Sequence, residues 1–236
     1  MSSTSADTMK REAAQAALGA VEPHMKLGLG TGSTAQHFVE LLGARVQAGL
    51  KVICVPTSER TRAQAAALRI PLTTLDDLPE LDLVVDGADE FDASRRLIKG
   101  GGGALLREKI VAAASKRMFV IADATKEVEA LGAFPLPIEV DRFGAQSTQL
   151  HIERTARGLG LIGPITQRRN KDQTPYITDG GHYIYDCSFG AIEAPELLAQ
   201  RLASIPGVVE HGLFIDLATA IFVAGAQGVR ILGNAA

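Results

Sequence analysis

The chain is poor in aromatic residues and has no excess of positive charge. None of its 236 residues is tryptophan, and the aromatic residues together make up 5%. The 27 acidic residues outnumber the 24 lysines and arginines, which gives a net charge of −3. Nucleic-acid-binding proteins usually carry a basic excess, and many stack bases on aromatic rings. We therefore expect no nucleic-acid partner.

Long apolar runs and cysteines are also scarce. No segment approaches the roughly 18 apolar residues of a membrane span, and residues 1–10 lack the apolar run of a signal peptide. We expect no membrane partner and a cytoplasmic location, or an organelle if a transit peptide was removed. Cys54 and Cys187 lie far apart in apolar segments, which is typical of buried thiols in a reducing compartment. With 5 scattered histidines they offer no metal-ligand spacing, so we expect no metal.

The first half of the chain alternates strands and helices. Strands are predicted at residues 26–30, 52–55, 81–85 and 118–122, and helices at 34–48, 58–69 and 104–115. In the last of these helices, Leu106, Ile110 and Ala113 form the apolar face. Repeated βα units with apolar strands imply a parallel sheet covered on both faces, which is the α/β class.

This rhythm changes after about Gly132. A helix fits residues 144–158, a hairpin joins 176–178 to 183–186, and Pro195 opens another helix. These elements predict a smaller α+β domain at 132–205. The strand-rich tail is expected to return to the first domain, which then comprises 1–131 plus 206–236.

The first candidate site is the turn Gly28-Leu29-Gly30-Thr31-Gly32-Ser33-Thr34. Glycines let the backbone fold closely around a ligand, and the amides of a helix N-terminus hold anions. The turn resembles a dinucleotide fingerprint, but its third glycine falls one residue early. Pro56-Thr57-Ser58 also stands where an acidic residue should end the second strand. A phosphate loop is the favoured interpretation, with NAD binding and a structural turn as alternatives.

Three further segments follow predicted strands. Asp86-Gly87-Ala88-Asp89-Glu90-Phe91-Asp92 could bind a metal, serve as acid or base, or form a solvated loop. Lys99-Gly100-Gly101-Gly102-Gly103 is costly to order, so some function must need its bare backbone. Asp123-Ala124-Thr125-Lys126 offers a lysine to an anion or to solvent.

Glu108 is a further candidate, because helical geometry points it away from Leu106 and Ile110, with a surface position as the alternative. The carboxyl ends of parallel strands share one edge of a sheet, so the candidate segments are expected to meet there. Together they suit a small phosphorylated substrate that undergoes proton transfer, with no redox cofactor.

The order of these motifs points to a family. GLGTGSTA, TSERT, DGADEFD, KGGGGALLREKI and DATK closely resemble segments of the type A ribose-5-phosphate isomerases, and FPLPIEV and IPGVVEHGLF extend the resemblance over about residues 10–232. One departure is Asp179-Gly180-Gly181-His182, where the family more often has an Asn-Gly-Asn type turn. Arg168-Arg169-Asn170-Lys171 is expected to be a solvated loop.

The resemblance implies a homo-oligomer, dimer or tetramer, that interconverts D-ribose 5-phosphate and D-ribulose 5-phosphate in the pentose phosphate pathway. It implies a Rossmann-like domain with an inserted ferredoxin-like domain. In the implied mechanism Glu108 is the general base, Asp86 assists ring opening, Asp86 and Asp89 hold sugar hydroxyls, and Lys99 stabilises the enediolate. The implied substrate-binding residues are Thr31, Gly32, Ser33, Thr34, Asp86, Gly87, Ala88, Asp89, Lys99, Gly100, Gly101, Gly102 and Lys126, with Lys10 as a further contact.

Two other functions fit parts of the pattern. A sugar-phosphate-sensing effector module would bind without turnover and would not need Glu108, but no helix-turn-helix partner is evident. A nicotinamide-dependent dehydrogenase would need a better fingerprint and an acidic ribose ligand.

Overall fold

The structure is a computed structural model that describes residues 6–235, and these residues form two compact units. The first unit contains the described residues up to Ala88, then Arg107–Glu127 and the described residues from Asp216 onward. The second contains Asp89–Leu106 and Val128–Ile215. Within the described part of the chain, no helix is long and apolar enough to cross a membrane.

The helices and strands follow one another closely along the chain. In order they are α1 (Ala6–Leu18), β1 (Lys26–Leu29), α2 (Ser33–Gln47), β2 (Ile53–Pro56), α3 (Glu59–Ala67), β3 (Leu83–Gly87), β4 (Glu90–Phe91), β5 (Leu97–Ile98), α4 (Leu105–Ala113), β6 (Met118–Asp123), a 3-10 turn (Ala124–Lys126), β7 (Leu136–Val140), α5 (Ala145–Gly158), β8 (Ile165–Gln167), β9 (Tyr183–Cys187), α6 (Pro195–Ala203), β10 (Val208–His211), β11 (Leu213–Phe214), β12 (Ala220–Gly225) and β13 (Gly228–Gly233).

The first unit is built on a six-stranded sheet. Its strand order is β13-β12-β6-β3-β1-β2, and every neighbouring pair is parallel except β12 with β13. Leu27 and Leu29 of β1 join a core with Phe38 and Leu42 of α2. Gly28 points to the other face, where a Cβ atom would lie 2.5 Å from Val111 of α4. Helices therefore cover both faces, which confirms the predicted α/β class.

The second unit contains a four-stranded antiparallel sheet. The elements β7, α5, β8, β9, α6 and β10 follow the βαββαβ order of ferredoxin-like domains, and the strands lie in the order β10-β7-β9-β8. Residues 176–178, predicted as one arm of a hairpin, form no strand, and β9 pairs with β8 instead. The predicted turn nevertheless exists, because the Thr178 amide donates to the His182 carbonyl at 3.0 Å.

A three-stranded sheet, β11-β5-β4, completes the second unit. The start of the strand-rich tail is divided at Gly212, so that β10 pairs with β7 while β11 pairs with β5. This pairing places residues 89–106 with the second unit, whereas the predicted limits placed them with residues 1–131. Residues 206–215 likewise lie in the second unit. Residues 1–5 and 236 of the predicted larger domain lie outside the described residues.

Candidate active site

The sheet of the first unit places three predicted site segments at neighbouring strand ends. Because β6, β3, β1 and β2 are parallel neighbours, their carboxyl ends lie side by side. Residues 31–34 follow β1, residues 86–88 end and follow β3, and Lys126 follows β6. This edge is where ligands bind in open α/β sheets.

The carboxylate of Asp86 joins two of these segments. Asp86 is fully buried, and its Oδ1 atom accepts hydrogen bonds from the amides of Thr31 at 2.9 Å and Gly87 at 2.7 Å. A Cβ atom on Gly30 would lie only 2.1 Å from the same oxygen. The glycine at position 30 is therefore required by the close approach of the Asp86 side chain to the turn after β1.

A row of buried hydroxyl groups lies beneath this turn. The Thr31 hydroxyl donates to Ser58 Oγ at 2.8 Å and lies 2.7 Å from Thr57 Oγ1. Ser58 donates to Thr61 Oγ1 at 3.0 Å, and Thr61 donates to the Gly30 carbonyl at 2.9 Å. Because each hydroxyl has a single proton, the bonds run in one direction, from Thr57 through Thr31, Ser58 and Thr61 to the backbone.

These bonds change the interpretation of Thr31. Its amide is bonded to Asp86, its hydroxyl belongs to the row, and the residue is 6% exposed. We therefore assign Thr31 to holding the shape of the turn. Sequence reasoning missed Thr57, Ser58 and Thr61 as its partners, although Pro56-Thr57-Ser58 is an unusual ending for the second strand.

The residues after Thr31 begin helix α2. Gly32 precedes the helix with φ +115°, Ser33 is exposed, and Thr34 is partly exposed. Lys10 of α1 donates from Nζ to Ser33 Oγ at 3.0 Å. The amides of a helix N-terminus attract anions, and an ammonium group adds to that attraction. The N-terminus of α2 therefore fits a phosphate group.

Glu108 lies on the buried face of α4. Glu108 is 3% exposed, and its neighbours Leu105 and Val111 are also buried, at 0% and 3%. Ile110, in contrast, is 49% exposed. The predicted apolar face containing Ile110 is therefore not the inward face, and the reading of Glu108 as a surface residue is wrong. Burying a carboxylate is costly, so a buried one is a candidate for chemistry.

An ion pair connects α4 to the row of hydroxyls. Arg107, the residue before Glu108, donates from Nη1 to Glu59 at 3.0 Å, and Arg62 donates to the same carboxylate at 2.6 Å. Hydrogen bonds from Arg62 and Arg107 hold the pKa of Glu59 below its usual range. Since Glu59 directly follows Ser58, the start of α4 is attached to the segment that supports Thr31.

Lys126 closes the 3-10 turn after β6. Asp123 caps this turn, with its Oδ1 atom accepting from the Thr125 amide at 3.0 Å. Lys126 is partly exposed, so its ammonium group is accessible to an anion at this end of the sheet.

The remaining predicted site residues belong to the second unit. Lys99 is 2% exposed, its amide donates to the Gly212 carbonyl at 2.9 Å, and its Nζ atom lies 5.4 Å from the centre of the Phe214 ring. Asp89 accepts a bond from the Gly101 amide at 2.7 Å. Asp89 therefore anchors the glycine loop, in which Gly102 is exposed.

One expectation for the second unit holds for Arg169, Asn170 and Lys171, which are exposed, but is wrong for Arg168. The stretch beginning at Arg168 is not simply a solvated loop, because the Arg168 side chain is 15% exposed and forms an ion pair with Asp186. Sequence reasoning missed this residue because its partners lie far away in the chain.

The cysteines and acidic residues show no metal-binding arrangement in residues 6–235, where no group of three or more His, Cys, Asp or Glu could hold an ion. Cys54 and Cys187 are buried, free thiols, as predicted. Burial raises the pKa of Cys54 to about 12.

Comparisons with known proteins point to one family. The family model of ribose 5-phosphate isomerase A (phosphoriboisomerase A) matches residues 53–228. The ribose-5-phosphate isomerase A of Nitrobacter hamburgensis is 60% identical over 226 residues, covering 96% of this chain and 97% of its own. The ribose 5-phosphate isomerase structure from Plasmodium falciparum matches with a TM-score of 0.90 at 36% identity, and the match covers 97% of this chain and 99% of that chain. The structure of a D-ribose-5-phosphate isomerase in complex with phospho-erythronic acid matches with a TM-score of 0.91 at 35% identity. The match covers 98% of this chain and 100% of that chain.

Proposed function

The chain belongs to the ribose 5-phosphate isomerase A family, and on that premise we propose that it interconverts D-ribose 5-phosphate and D-ribulose 5-phosphate. The observation that carries the proposal is the buried carboxylate of Glu108 on α4. The residue before it is ion-paired to Glu59, next to the segment that supports the turn after β1. One unit thus holds both a carboxylate for proton transfer and a place for an anion.

The phosphate group binds at the start of α2. Main-chain amides and hydroxyls of Gly32, Ser33 and Thr34 surround it, and Lys126 and Lys10 supply positive charge. Support comes from the position of Lys10, which donates to Ser33, and from the related structure in complex with phospho-erythronic acid, a phosphorylated compound. The phosphate does not react, so its binding energy can position the sugar.

The proton transfer takes place at C1 and C2 of the open-chain sugar. Asp86 assists ring opening, and Glu108 then removes the proton from C2. The electrons form an enediolate, a proton passes from O2 to O1, and Glu108 returns its proton to C1 to give the ketose. One carboxylate can serve both carbons because they are adjacent.

The negative charge on the enediolate is the main obstacle in this reaction. Lys99 neutralises it, Asp89 holds a sugar hydroxyl, and the main chain at residues 87–88 and 100–102 contacts the sugar. Preorganised charges of this kind are worth more in a buried site than in water. The burial of Lys99 supports this role.

Two broader expectations are part of the proposal. We propose a homodimer or tetramer, which light scattering on the purified chain would test. A cytoplasmic location, where the pentose phosphate pathway operates, is supported by the bacterial origin of relatives such as that of Nitrobacter hamburgensis.

The experiment that tests the proposal is Glu108→Gln. The amide keeps the size of the side chain but cannot act as a base, so kcat for ribose 5-phosphate should fall about 10²- to 10⁴-fold. Binding measured by calorimetry should change little. Glu108→Asp should also be impaired, because a displacement of about 1 Å can cost about 10²-fold.

The assay follows ketose formation by wild-type protein in EDTA, where activity is expected to persist. In heavy water the wild type should incorporate deuterium at the exchanging carbon, unless the shielded carboxyl returns the same proton. A Gln variant that isomerises at nearly the wild-type rate would move the base to Asp86 or Asp89. A wild type that binds but never turns over would indicate a sensing module.

A further inference from the structure

Arg168 follows β8 and forms hydrogen bonds with a distant glycine loop. Its Nη1 atom donates to the carbonyl of Gly100 at 2.9 Å and lies 3.3 Å from that of Gly101. Its Nε atom donates to Asp186 Oδ2 at 2.9 Å, and Nη2 donates to the other carboxylate oxygen. One edge of the guanidinium, Nε and Nη2, thus binds both oxygens of the Asp186 carboxylate, while Nη1 binds the loop.

The surroundings of Arg168 restrict its side chain. Its main-chain amide donates to the Ile184 carbonyl at 2.7 Å, and the Tyr176 ring lies 5.9 Å from the guanidinium carbon. Asp186 lies in β9, which pairs with β8. A planar guanidinium held by a bidentate carboxylate is a rigid donor, unlike a lysine in the same place.

The loop that Arg168 binds consists of the four consecutive glycines 100–103. Gly100 has φ +106°, and consecutive glycines lose much conformational entropy when they become ordered. Apart from Arg168, the contacts of this loop include the bond from the Gly101 amide to Asp89 and the bond from the Gly103 amide to the Gly100 carbonyl. Lys99 directly precedes the loop.

We propose that Arg168, held by Asp186, is a positioning residue that fixes the glycine loop and thereby the placement of Lys99 and Asp89. The inference rests on the proposed function, in which Lys99 stabilises the enediolate. The enediolate charge develops only in the transition state, whereas Asp89 and the loop also contact the bound sugar, so loss of Arg168 should lower kcat by more than it raises KM.

The test compares Arg168→Met with Arg169→Met in the full-length protein. Arg169 is a matched control, because it is adjacent and exposed and its Nη1 atom donates to the Gln173 carbonyl at 2.6 Å rather than to the glycine loop. We expect kcat to fall about 10- to 100-fold in the Arg168 variant. The Arg169 variant should behave like the wild type.

Two further measurements separate positioning from general stability. Guanidinium ion at sub-denaturing concentration should restore part of the kcat of Arg168→Ala, whereas sodium chloride at equal ionic strength should not. Amide hydrogen exchange in residues 99–103 should become about tenfold faster or more in Arg168→Met, the effect of losing a charge-assisted hydrogen bond. It should be unchanged in Arg169→Met.

Each outcome supports or overturns the proposal that Arg168 fixes the glycine loop. Wild-type kcat and exchange in Arg168→Met, or equal changes in both variants, would overturn the proposal. If Arg168→Met does not fold, Arg168→Lys keeps the charge without the fork, and a folded Lys variant with full kcat would overturn it equally. If the wild type does not isomerise ribose 5-phosphate, the proposed function fails, and hydrogen exchange alone decides whether Arg168 fixes the loop.

Discussion

Replacing Thr31 with valine tests whether its hydroxyl supports the turn after β1 or contacts substrate. Valine has nearly the same shape, so the change removes one hydroxyl from the middle of the buried row. Thr57 then loses the acceptor at 2.7 Å, and Ser58 loses the donor at 2.8 Å. Ser58 still accepts from the Thr61 amide at 3.1 Å, so the main loss falls on Thr57, which is 0% exposed.

The expected magnitude follows from this unsatisfied donor. A buried hydroxyl without a partner costs about 1–3 kcal/mol. For a chain of this length each kcal/mol lowers Tm by roughly 2–4 °C, so Thr31→Val should melt about 2–12 °C below the wild type. The KM for ribose 5-phosphate should rise as well, because the turn leads into the start of α2.

Two control variants sharpen this test. Thr31→Ser keeps the hydroxyl and should stay close to the wild type in Tm. Adding Thr57→Val to Thr31→Val should cause little further loss, because valine at position 57 needs no acceptor, and the double-mutant cycle should show strong coupling. Calorimetric melting of the wild type, Thr31→Ser, the two single valine variants and the double variant measures these effects. A Thr31→Val protein with wild-type Tm but a much higher KM would refute the reasoning and indicate that the Thr31 hydroxyl contacts the substrate.

Two other predictions concern Lys126 and the thiols. Lys126→Ala should raise KM about 10- to 100-fold with little change in kcat, since a bond to a charged group is worth roughly 1.5–3 kcal/mol and the phosphate does not react; steady-state kinetics would show otherwise if kcat fell at constant KM. Burial raises the pKa of Cys54 to about 12 and that of Cys187 above its usual value, so both thiols stay protonated at pH 8. They should react with a disulfide reagent only after unfolding, and rapid labelling of native protein would contradict this.

Much of the fold can be predicted from the sequence because the signals for its strands and turns are local. Apolar β-branched runs such as that of β3 predict buried parallel strands, and glycine- or acid-rich turns mark where those strands end. The βα alternation predicts that these turns meet at one edge of the sheet, which the strand order of the first unit confirms. The motif order was sufficient to indicate the family, which the comparisons then confirmed.

The burial of Glu108 shows where local signals end. Helical periodicity correctly separated it from Ile110, but periodicity does not state which side of a helix faces the sheet. That choice depends on the packing of α4 at Gly28, where only a glycine leaves room for Val111. The sequence pattern therefore left Glu108 as either a site residue or a surface residue, and the structure shows a buried carboxylate.

Long-range hydrogen bonds account for the other differences between the sequence-based predictions and the structure. The sequence by itself determined the strands, the helices and the turns that carry polar side chains, since these depend on neighbours a few residues apart. Only the tertiary structure joined Thr31 to Thr57, divided the strand at Gly212 between two sheets, and placed Arg168 on the loop at Gly100. Each of these contacts joins residues 26 or more positions apart, or depends on such a pairing, and no periodic pattern in the chain encodes it.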